Sequence, residues 1–518
     1  IAIAIFIISL ACINFMNLST ARSANRAKEV GVRKALGSYR SHLIRQFLTE
    51  SILLSLCAFI LSLLVVMIVL PGFNLIAERS LTLPLTDVTF LLVLVIGSFL
   101  VGIIAGFYPA FYLSSFSPVN TLKGRLSLGS GNAALRSSLV VFQFFISVIL
   151  IIGTLVVQKQ LHFIQNKKIG FNKDQVLVIS DTYMLGDSRD SFKEEISQLS
   201  QVSSASYSGF IPVNGYNRSD NMFWKKGVSP GESNSASTQI WSVDHDYIST
   251  MGMELIEGRT FDRNKASDSS AVIINESALR QFAFDEGEER FIQTYTYDES
   301  TNNIYPDRID TYQVIGVIKD FHYESLKQNI GPLAIRLGRS TGVMSIRLAT
   351  ADFANAIDQV EDKWKATAPD LPFNYTFLDD SFDRMYRQES RLGTIFGIFS
   401  VLAILIGCLG LFALATFMAE QRIKEIGIRK VLGASVNGLV LMLTRDFSKL
   451  IVIAFLLAVP LAWWLLSRWL SDYNYRINLT WDLFIIAGLI AFVIAWATVS
   501  YQSIKAALSN PVDSLKSD

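Results

Sequence analysis

The residues at 27–37, Ala-Lys-Glu-Val-Gly-Val-Arg-Lys-Ala-Leu-Gly, recur at 423–433 as Ile-Lys-Glu-Ile-Gly-Ile-Arg-Lys-Val-Leu-Gly, 396 positions further on. Seven of the eleven are identical and the other four exchange one apolar residue for another. Each copy follows a long apolar segment and leads, through a polar stretch, into another. A charged element at the same place in two membrane-embedded halves calls for a duplicated docking surface, worked from one side by a pair of identical or similar subunits.

Composition agrees with the membrane reading. Hydrophobic residues make up 51% of the chain and charged ones 18%, with a mean hydropathy of +0.36, too apolar for a soluble chain of 518 residues. A net charge of +1 gives no global basic field pointing to nucleic acid. Cys12, Cys57 and Cys408 all sit in apolar runs, leaving none for a disulfide framework or thiolate cluster in the polar part; they read as small core residues.

Crossing the hydrocarbon takes roughly 20 apolar residues. Seven stretches qualify or nearly do: 1–18, 47–70, 90–112, 139–157, 392–418, 450–470 and 483–499. The loop after the first carries Arg22, Arg26, Lys28, Arg33, Lys34, Arg40 and Arg45 against Glu29, a positive-inside signal that puts it in the cytoplasm. Alternation then places 71–89 outside, 114–138 with Lys123, Arg125 and Arg136 inside, and the polar stretch 158–391 outside. The second copy, with Arg422, Lys424, Arg429 and Lys430, returns inside, as does the C-terminal tail.

The duplication extends beyond the eleven residues. Leu85-Thr86 before the third span parallels Leu479-Thr480 before the seventh, and the Pro-Val tail at 113–119, with Leu122-Lys123, parallels that at 506–512, with Leu515-Lys516. Both halves run helix, basic element, helix, short outer loop, helix, tail; such repeats are a recurrent way to build transporters. The chain starts at Ile1, without Met, inside an apolar span that leads into a basic loop and lacks the marks of a signal peptide. It reads as a fragment, and a further transmembrane helix and a first outer domain are expected to precede Ile1.

The basic element has its own local logic. Glu29 and Arg33, like Glu425 and Arg429, lie at i and i+4, the favourable order for a helix-stabilising pair. Val32 and Leu36, like Ile428 and Leu432, share another face, and Gly37 and Gly433 suit a left-handed helix end. The spacing predicts a short helix with an apolar strip and a basic rim, able to enter a cleft on a cytoplasmic ATPase. The competing reading is that the positive charge only sets topology and binds anionic lipid. Recurrence of the internal glycine and the terminal Leu-Gly weighs against that.

The chain resembles the FtsX/MacB-type family of ABC transporter permeases, in the version with two modules in one chain. The resemblance is carried by the two Lys-Glu-x-Gly-x-Arg-Lys-x-Leu-Gly segments, Gly407-Cys-Leu-Gly-Leu411 above the second, and, in the outer domain, Val243-Asp-His-Asp-Tyr247, Gly258-Arg-Thr-Phe261 and Val-Ile-Gly-Val-Ile-Lys-Asp-Phe at 314–321. It implies an inner-membrane, multi-pass protein with its large domain in the periplasm, and a partner ATPase that holds the ATP, so that this chain needs no cofactor. It also implies an outer domain that moves in response to ATP, and cargo such as antimicrobial peptides, macrolides or lipoproteins. Further implied partners are a second permease chain, as homodimer or heterodimer, a periplasmic adaptor and membrane lipid. The residues assigned to ATPase docking are Lys28, Glu29, Gly31, Arg33, Lys34, Leu36 and Gly37, with Lys424, Glu425, Gly427, Arg429, Lys430, Leu432 and Gly433.

The outer region alternates short β-branched runs at 176–179, 271–274 and 314–318 with helical stretches at 276–284 and 354–366, which predicts an α+β domain of two subdomains. From Ser381 to Ser390 no breaker precedes the fifth span, so a continuous helical stalk is expected there. Catalytic constellations are missing: no phosphate-binding Gly-x-x-x-x-Gly-Lys-Ser/Thr loop occurs. The spacing in Asp244-His245-Asp246 and Asp320-Phe-His322 matches no zinc site, and these read as solvated loop residues. Asn14, Asn17 and Gln143 read as helix-to-helix hydrogen-bonding groups rather than a polar pathway. Glu50 and Asp446 match between the repeats. The expected protein is an α-helical membrane protein with seven spans, eight in the full chain, and an extracytoplasmic α+β domain. Its parts are a first module at 1–138, a helix at 139–157, a periplasmic core domain at 158–391 and a second module at 392–518. Its expected role is the permease subunit of an ABC-type exporter or mechanotransmitter, no enzyme itself; a lipoprotein-releasing permease and a regulator of cell-wall hydrolases or peptide sensing are the alternatives.

Overall fold

The computed structural model describes residues 2–21, 23–115, 130–213, 219–231, 235–285, 288–298, 303–338 and 342–508. Of the Pro-Val tails, residues 116–119 and 509–512 lie outside the described residues. The chain divides into two compact units, one of Ile1–Gln160, Glu389–Leu470 and Ile477–Asp518, the other of Leu161–Gln388 with Ser471–Arg476.

The first unit is helical. Its helices are α1 (Ala2–Ala21), α2 (Ser23–Ala35), α3 (Arg40–Ala77), α4 (Val88–Leu113), α5 (Ser130–Asn166), α6 (Arg387–Gln421), α7 (Ile423–Val431), α8 (Val436–Leu470) and α9 (Trp481–Leu508). Thus α1 to α4 repeat as α6 to α9. Among the described residues, six helices are long and apolar enough to cross a membrane; the seventh expected span forms α1, but its apolar part, Ala4–Ser19, is shorter. The long helices overrun their apolar cores because flanking polar turns still bury one face, as Leu43 of α3 does at 1% exposure. Asp87 caps α4, its carboxylate accepting from the amides of Thr89 (2.8 Å) and Phe90 (3.4 Å). Small residues bring α3 and α4 together: a Cβ on Gly106 would lie 2.5 Å from Ser51, and Ser55 Oγ donates to the Ser98 carbonyl at 2.7 Å. Such close approach is how apolar helices gain contact where lipid competes equally for their side chains.

The second unit is built on an 11-stranded sheet, β1 (Val176–Ser180), β2 (Val202–Ser208), β3 (Ser219–Lys225), β4 (Ser235–Val243), β5 (Leu255–Gly258), β6 (Ala271–Asn275), β7 (Phe291–Asp298), β8 (Asn303–Ile318), β9 (Leu333–Leu337), β10 (Val343–Leu348) and β11 (Tyr375–Phe377). Strands β4, β3, β7, β8, β6 and β9 pair in that order, and β9 returns to β4 in parallel register, Trp241 opposite Ile335, closing a barrel. Its interior holds Phe223, Ile240, Val272, Ile274, Ile292 and Ala334. Strand β5 adds to β8 in antiparallel register, and the other four strands form an antiparallel layer in the order β11-β1-β10-β2. The helices Arg189–Ser197 and Phe353–Thr367 cover it through Phe192, Ile196, Val360 and Trp364. The two subdomains predicted from sequence are therefore a helix-covered sheet and a barrel inserted between its β2 and β10.

The expected continuous stalk is not continuous. The helix Leu378–Met385 ends at Tyr386 (φ −111°, ψ 13°) before α6 begins at Arg387. Tyr386 is buried, packs on Phe382 at 5.5 Å and accepts the Leu326 amide on its hydroxyl at 2.9 Å. That anchoring to a remote segment breaks the helix where no local residue would. On the entry side α5 runs unbroken from Ser130 to Asn166.

Candidate functional site

The repeated basic segments form α2 and α7, and each is held in the same way. Val30 and Ile426 point inward at 1% and 2% exposure. Val30 packs on Leu43 and Phe47 of α3 and on Ala110 and Leu113 of α4, and Ile426 on Leu439 and Leu443 of α8 and on Ala507 of α9. Leu43 and Phe47 are the repeat equivalents of Leu439 and Leu443. Gly31 and Gly427 are buried. Each helix ends at a glycine with positive φ, +95° at Gly37 and +91° at Gly433. There the amides of Ser38 and Ala434 return to the carbonyls of Arg33 (3.0 Å) and Arg429 (2.9 Å). Any side chain at these two positions would strain the backbone.

The arginines and glutamates pair as the spacing predicts, Arg33 with Glu29 and Arg429 with Glu425, both at 2.7 Å. Each arginine also reaches the same place on the next helix, Gln46 Oε1 at 2.6 Å in the first module and Met442 Sδ at 3.0 Å in the second. The lysines do something the sequence did not reveal. Lys34 Nζ donates to the Ser114 carbonyl at 2.7 Å, at the end of α4, and Lys430 Nζ to the Ala507 carbonyl at 2.8 Å, in the last turn of α9. Ser114 and Ala507 are equivalent in the Pro-Val alignment, so this is one bond made twice. It places a cation on a helix C-terminus, where the backbone dipole and unpaired carbonyls favour it. Burial, with Arg40 nearby, lowers the Lys34 pKa from its ordinary value. Lys34 and Lys430 are thus occupied inside their modules.

The outward face consists of Leu36 and Leu432, 84% and 79% exposed, with Val32 and Ile428, 47% and 51% exposed, beside the Arg-Glu pairs. The side chains of Lys28 and Lys424 lie outside the described residues. Two exposed leucines at matching helix ends, each bordered by a fixed ion pair, are the kind of apolar knob with polar rim that anchors protein interfaces.

Other residues singled out from the sequence fall elsewhere. Asp446 pairs with Arg422 at 3.3 Å, and Glu50 lines a small cavity with Ser51 and Pro109. Gln143 Nε2 lies 3.5 Å from the Ile406 carbonyl, and Asn14 Oδ1 faces Gly410. The reading of Asp244, Asp246, Asp320 and His322 as solvated loop residues is overturned. Asp244 accepts from Lys193 Nζ (2.5 Å), Ser206 Oγ (2.6 Å) and the Tyr207 amide (2.8 Å), tying β2 to the loop after β4. Burial would raise the Asp246 pKa, but Lys193 and Arg263 outweigh it and hold the pKa low. Asp320 takes the amide and hydroxyl of Ser277 (2.9 and 2.8 Å) and Arg280 (2.6 Å). His322, 5% exposed, meets the Tyr475 ring edge-on at 4.4 Å, while the Tyr475 amide donates to the Leu326 carbonyl at 3.2 Å. No spacing in the sequence signals these nodes, because each joins segments far apart along the chain.

The FtsX-like permease C-terminal family matches this chain over residues 1–118 and 397–511. A macrolide export ATP-binding/permease protein MacB of Bdellovibrio bacteriovorus is 34% identical over 112 residues, 21% of this chain and 17% of that protein. A pyoverdine export ATP-binding/permease protein PvdT of Pseudomonas putida is 31% identical over 114 residues, 21% of this chain and 16% of that one. An uncharacterized ABC transporter permease YvrN of Bacillus subtilis is 32% identical over 111 residues, 21% and 26% of the two chains. This chain therefore spans only 16–26% of these relatives' lengths. Among solved structures, the periplasmic region of MacB from Actinobacillus actinomycetemcomitans aligns over 43% of this chain and 97% of that one, at 14% identity and a TM-score of 0.29.

Proposed function

The chain is an FtsX-like permease in both of its membrane halves, and from that premise we propose that it is the transmembrane subunit of an ATP-driven export or mechanotransmission complex of the inner membrane. A separate cytoplasmic ATPase binds the ATP and docks on α2 and α7. The sheet unit lies on the periplasmic side, where it moves cargo such as an antimicrobial peptide or macrolide, or hands it to an adaptor. One observation carries the reading. The same short helix is built twice, with the same buried anchor, capping lysine, glycine end and exposed leucine, and the leucine strip with the Arg-Glu pairs beside it faces outward, free to engage a partner.

The internal bonds supply the coupling. An ATPase that grips Leu36 and Leu432 pulls on helices whose lysines are bonded to the ends of α4 and α9, and whose Val30 and Ile426 are wedged against α3 and α8. Displacement of the docked helix is then carried to two membrane helices per module. Burying one leucine contributes about 1.5–3 kcal/mol, so the two together account for roughly a hundred- to ten-thousandfold in affinity.

Leu36→Asp combined with Leu432→Asp tests the proposal, because both side chains are exposed and the change leaves the fold alone. The doubly substituted permease is expected to insert normally and lose its ATPase on affinity purification. Undiminished co-purification with normal insertion would overturn the docking assignment.

A further inference from the structure

The duplication does not extend to the tryptophans. Of the eight in the chain, Trp224, Trp241 and Trp364 belong to the sheet unit, and the other five, from Trp463 to Trp496, belong to the second module. Residues 40–107, which hold α3 and most of α4, contain neither Trp nor Tyr. At the 396-residue offset, Trp463 and Trp464 correspond to Met67 and Ile68. Counted from the matched Leu85-Thr86 and Leu479-Thr480, Trp481 corresponds to Asp87, the residue that caps α4.

Where α8 meets α9, the Trp463 ring stacks on Phe484 at 5.4 Å and lies 5.6 Å from the ring of Trp481. Phe484 is buried at 1% exposure and fixes the group from beneath, while Trp481 and the adjoining Trp464 are 65% and 57% exposed. Three helices pass from apolar to charged residues at this level. Trp481 is followed by Asp482, which pairs at 3.3 Å with Lys159, the first charged residue after the apolar run of α5. On α8, Trp463 and Trp464 precede Arg468 by about 6–7.5 Å of helix rise. An exposed indole on the apolar side of a row of charges suits the carbonyl and headgroup layer of a bilayer, which takes both its ring and its N–H. We infer that Trp463, Trp464 and Trp481 hold the second module in the headgroup layer of the outer leaflet, and that the first module has no such hold. Interfacial aromatic anchors fix the depth and tilt of a helix. The α3–α4 pair, packed through Gly102 and Gly106, is therefore the part that shifts against the bilayer, while α8 and α9 keep their level.

The anchor rests on the membrane placement of the helical unit and not on ATPase docking. Full-length permease is reconstituted into phosphatidylcholine vesicles, with Trp496→Phe to remove the other exposed indole of α9. Its fluorescence is expected to be quenched more by lipid brominated near the headgroup than by lipid brominated near the chain end. Stronger quenching from the chain end would overturn the inference, and so would no quenching from either, which would show that protein covers the cluster. The hold itself is read with Cys12, Cys57 and Cys408 replaced by alanine and one cysteine at either of two equivalent exposed positions, Thr86→Cys or Thr480→Cys. From dimyristoleoyl- to the thicker dierucoyl-phosphatidylcholine, labelling by an impermeant maleimide is expected to slow severalfold at position 86 and less than about twofold at position 480. Trp463→Leu, Trp464→Leu and Trp481→Leu together should give position 480 the response of position 86, and the same three changes to tyrosine should not. Equal responses of the two positions with the tryptophans present, or an unchanged response at 480 in the inserted leucine variant, would overturn the inference. Both positions lie at the same end of their helices, so an inverted topology would change the labelled face and leave the comparison intact.

Discussion

Replacing Lys34 by Met keeps most of the side-chain length and removes the ammonium that closes the end of α4. The Ser114 carbonyl that accepts it is in a fully buried residue, so its loss leaves an acceptor without this partner. A hydrogen bond from a charged donor contributes about 1.5–3 kcal/mol, and favourable placement on the helix dipole adds about 0.3–1 kcal/mol. Arg40 Nε donates to Ser114 Oγ at 3.4 Å, so it is engaged by the hydroxyl and not by that carbonyl. Local opening of α2 should therefore become easier by about 2–3 kcal/mol, which is roughly 30- to 150-fold in the exchange rate of its amides. Hydrogen exchange of residues 29–38 in the purified permease reads this directly. Lys430→Met should do the same to 425–434 without affecting 29–38, because the two bonds are made in separate modules. Lys34→Arg should restore much of the protection, and Arg33→Met, on the outward face, should lose little. Unchanged exchange in Lys34→Met would refute the fastening of α2 to α4 by this lysine.

Three further outcomes follow from the sheet unit and its junction. Burial, reinforced by Lys167 and opposed by Asp320, pushes the His322 pKa down to about 4 from 6.5. Between these values the unfolded chain takes up the extra proton, so stability falls on acidification, by about 2–3 kcal/mol at pH 4.5. Urea unfolding followed by Trp fluorescence should show that fall in wild type and less of it in His322→Phe, and equal pH dependence of the two would remove His322 as the cause. Asp244→Ala removes the acceptor of Lys193, Ser206 and the Tyr207 and Asp246 amides at once and leaves Lys193, whose side chain is 13% exposed, with Asp246 alone; a loss of about 3 kcal/mol is expected in the same assay. Because α6 starts at Arg387, Gln388→Pro falls in its first turn and should be tolerated, whereas Ile395→Pro, in the interior, should cost about 3 kcal/mol; equal thermal stability of the two variants would contradict the break at Tyr386.

What could be read from the sequence was what local chemistry dictates. Apolar runs set by bilayer thickness mark the long helices, short β-branched runs mark β1 and β6, and the Glu-Arg spacing with a trailing glycine marks α2 and α7. What could not be read depends on distant partners. The barrel closes because β4 meets β9, some 90 residues later in the chain, and no periodicity announces that pairing. Tyr386 interrupts the stalk because its hydroxyl is held by the Leu326 amide. Lys34 and Lys430 look like their basic neighbours until the fold brings Ser114 and Ala507 to them. Asp244 and Asp320 look like loop residues until the amides and cations they collect are in view. Of the candidate docking residues, Leu36 and Leu432 with the Arg-Glu pairs remain outward, while Gly31, Gly427, Lys34 and Lys430 build the element that presents them.

The central claim is that one chain offers two equivalent docking helices to its ATPase. Native mass spectrometry of the complex purified from membranes measures this most directly. One permease chain with two ATPase subunits is the predicted composition. A complex with one ATPase subunit per permease chain would contradict it.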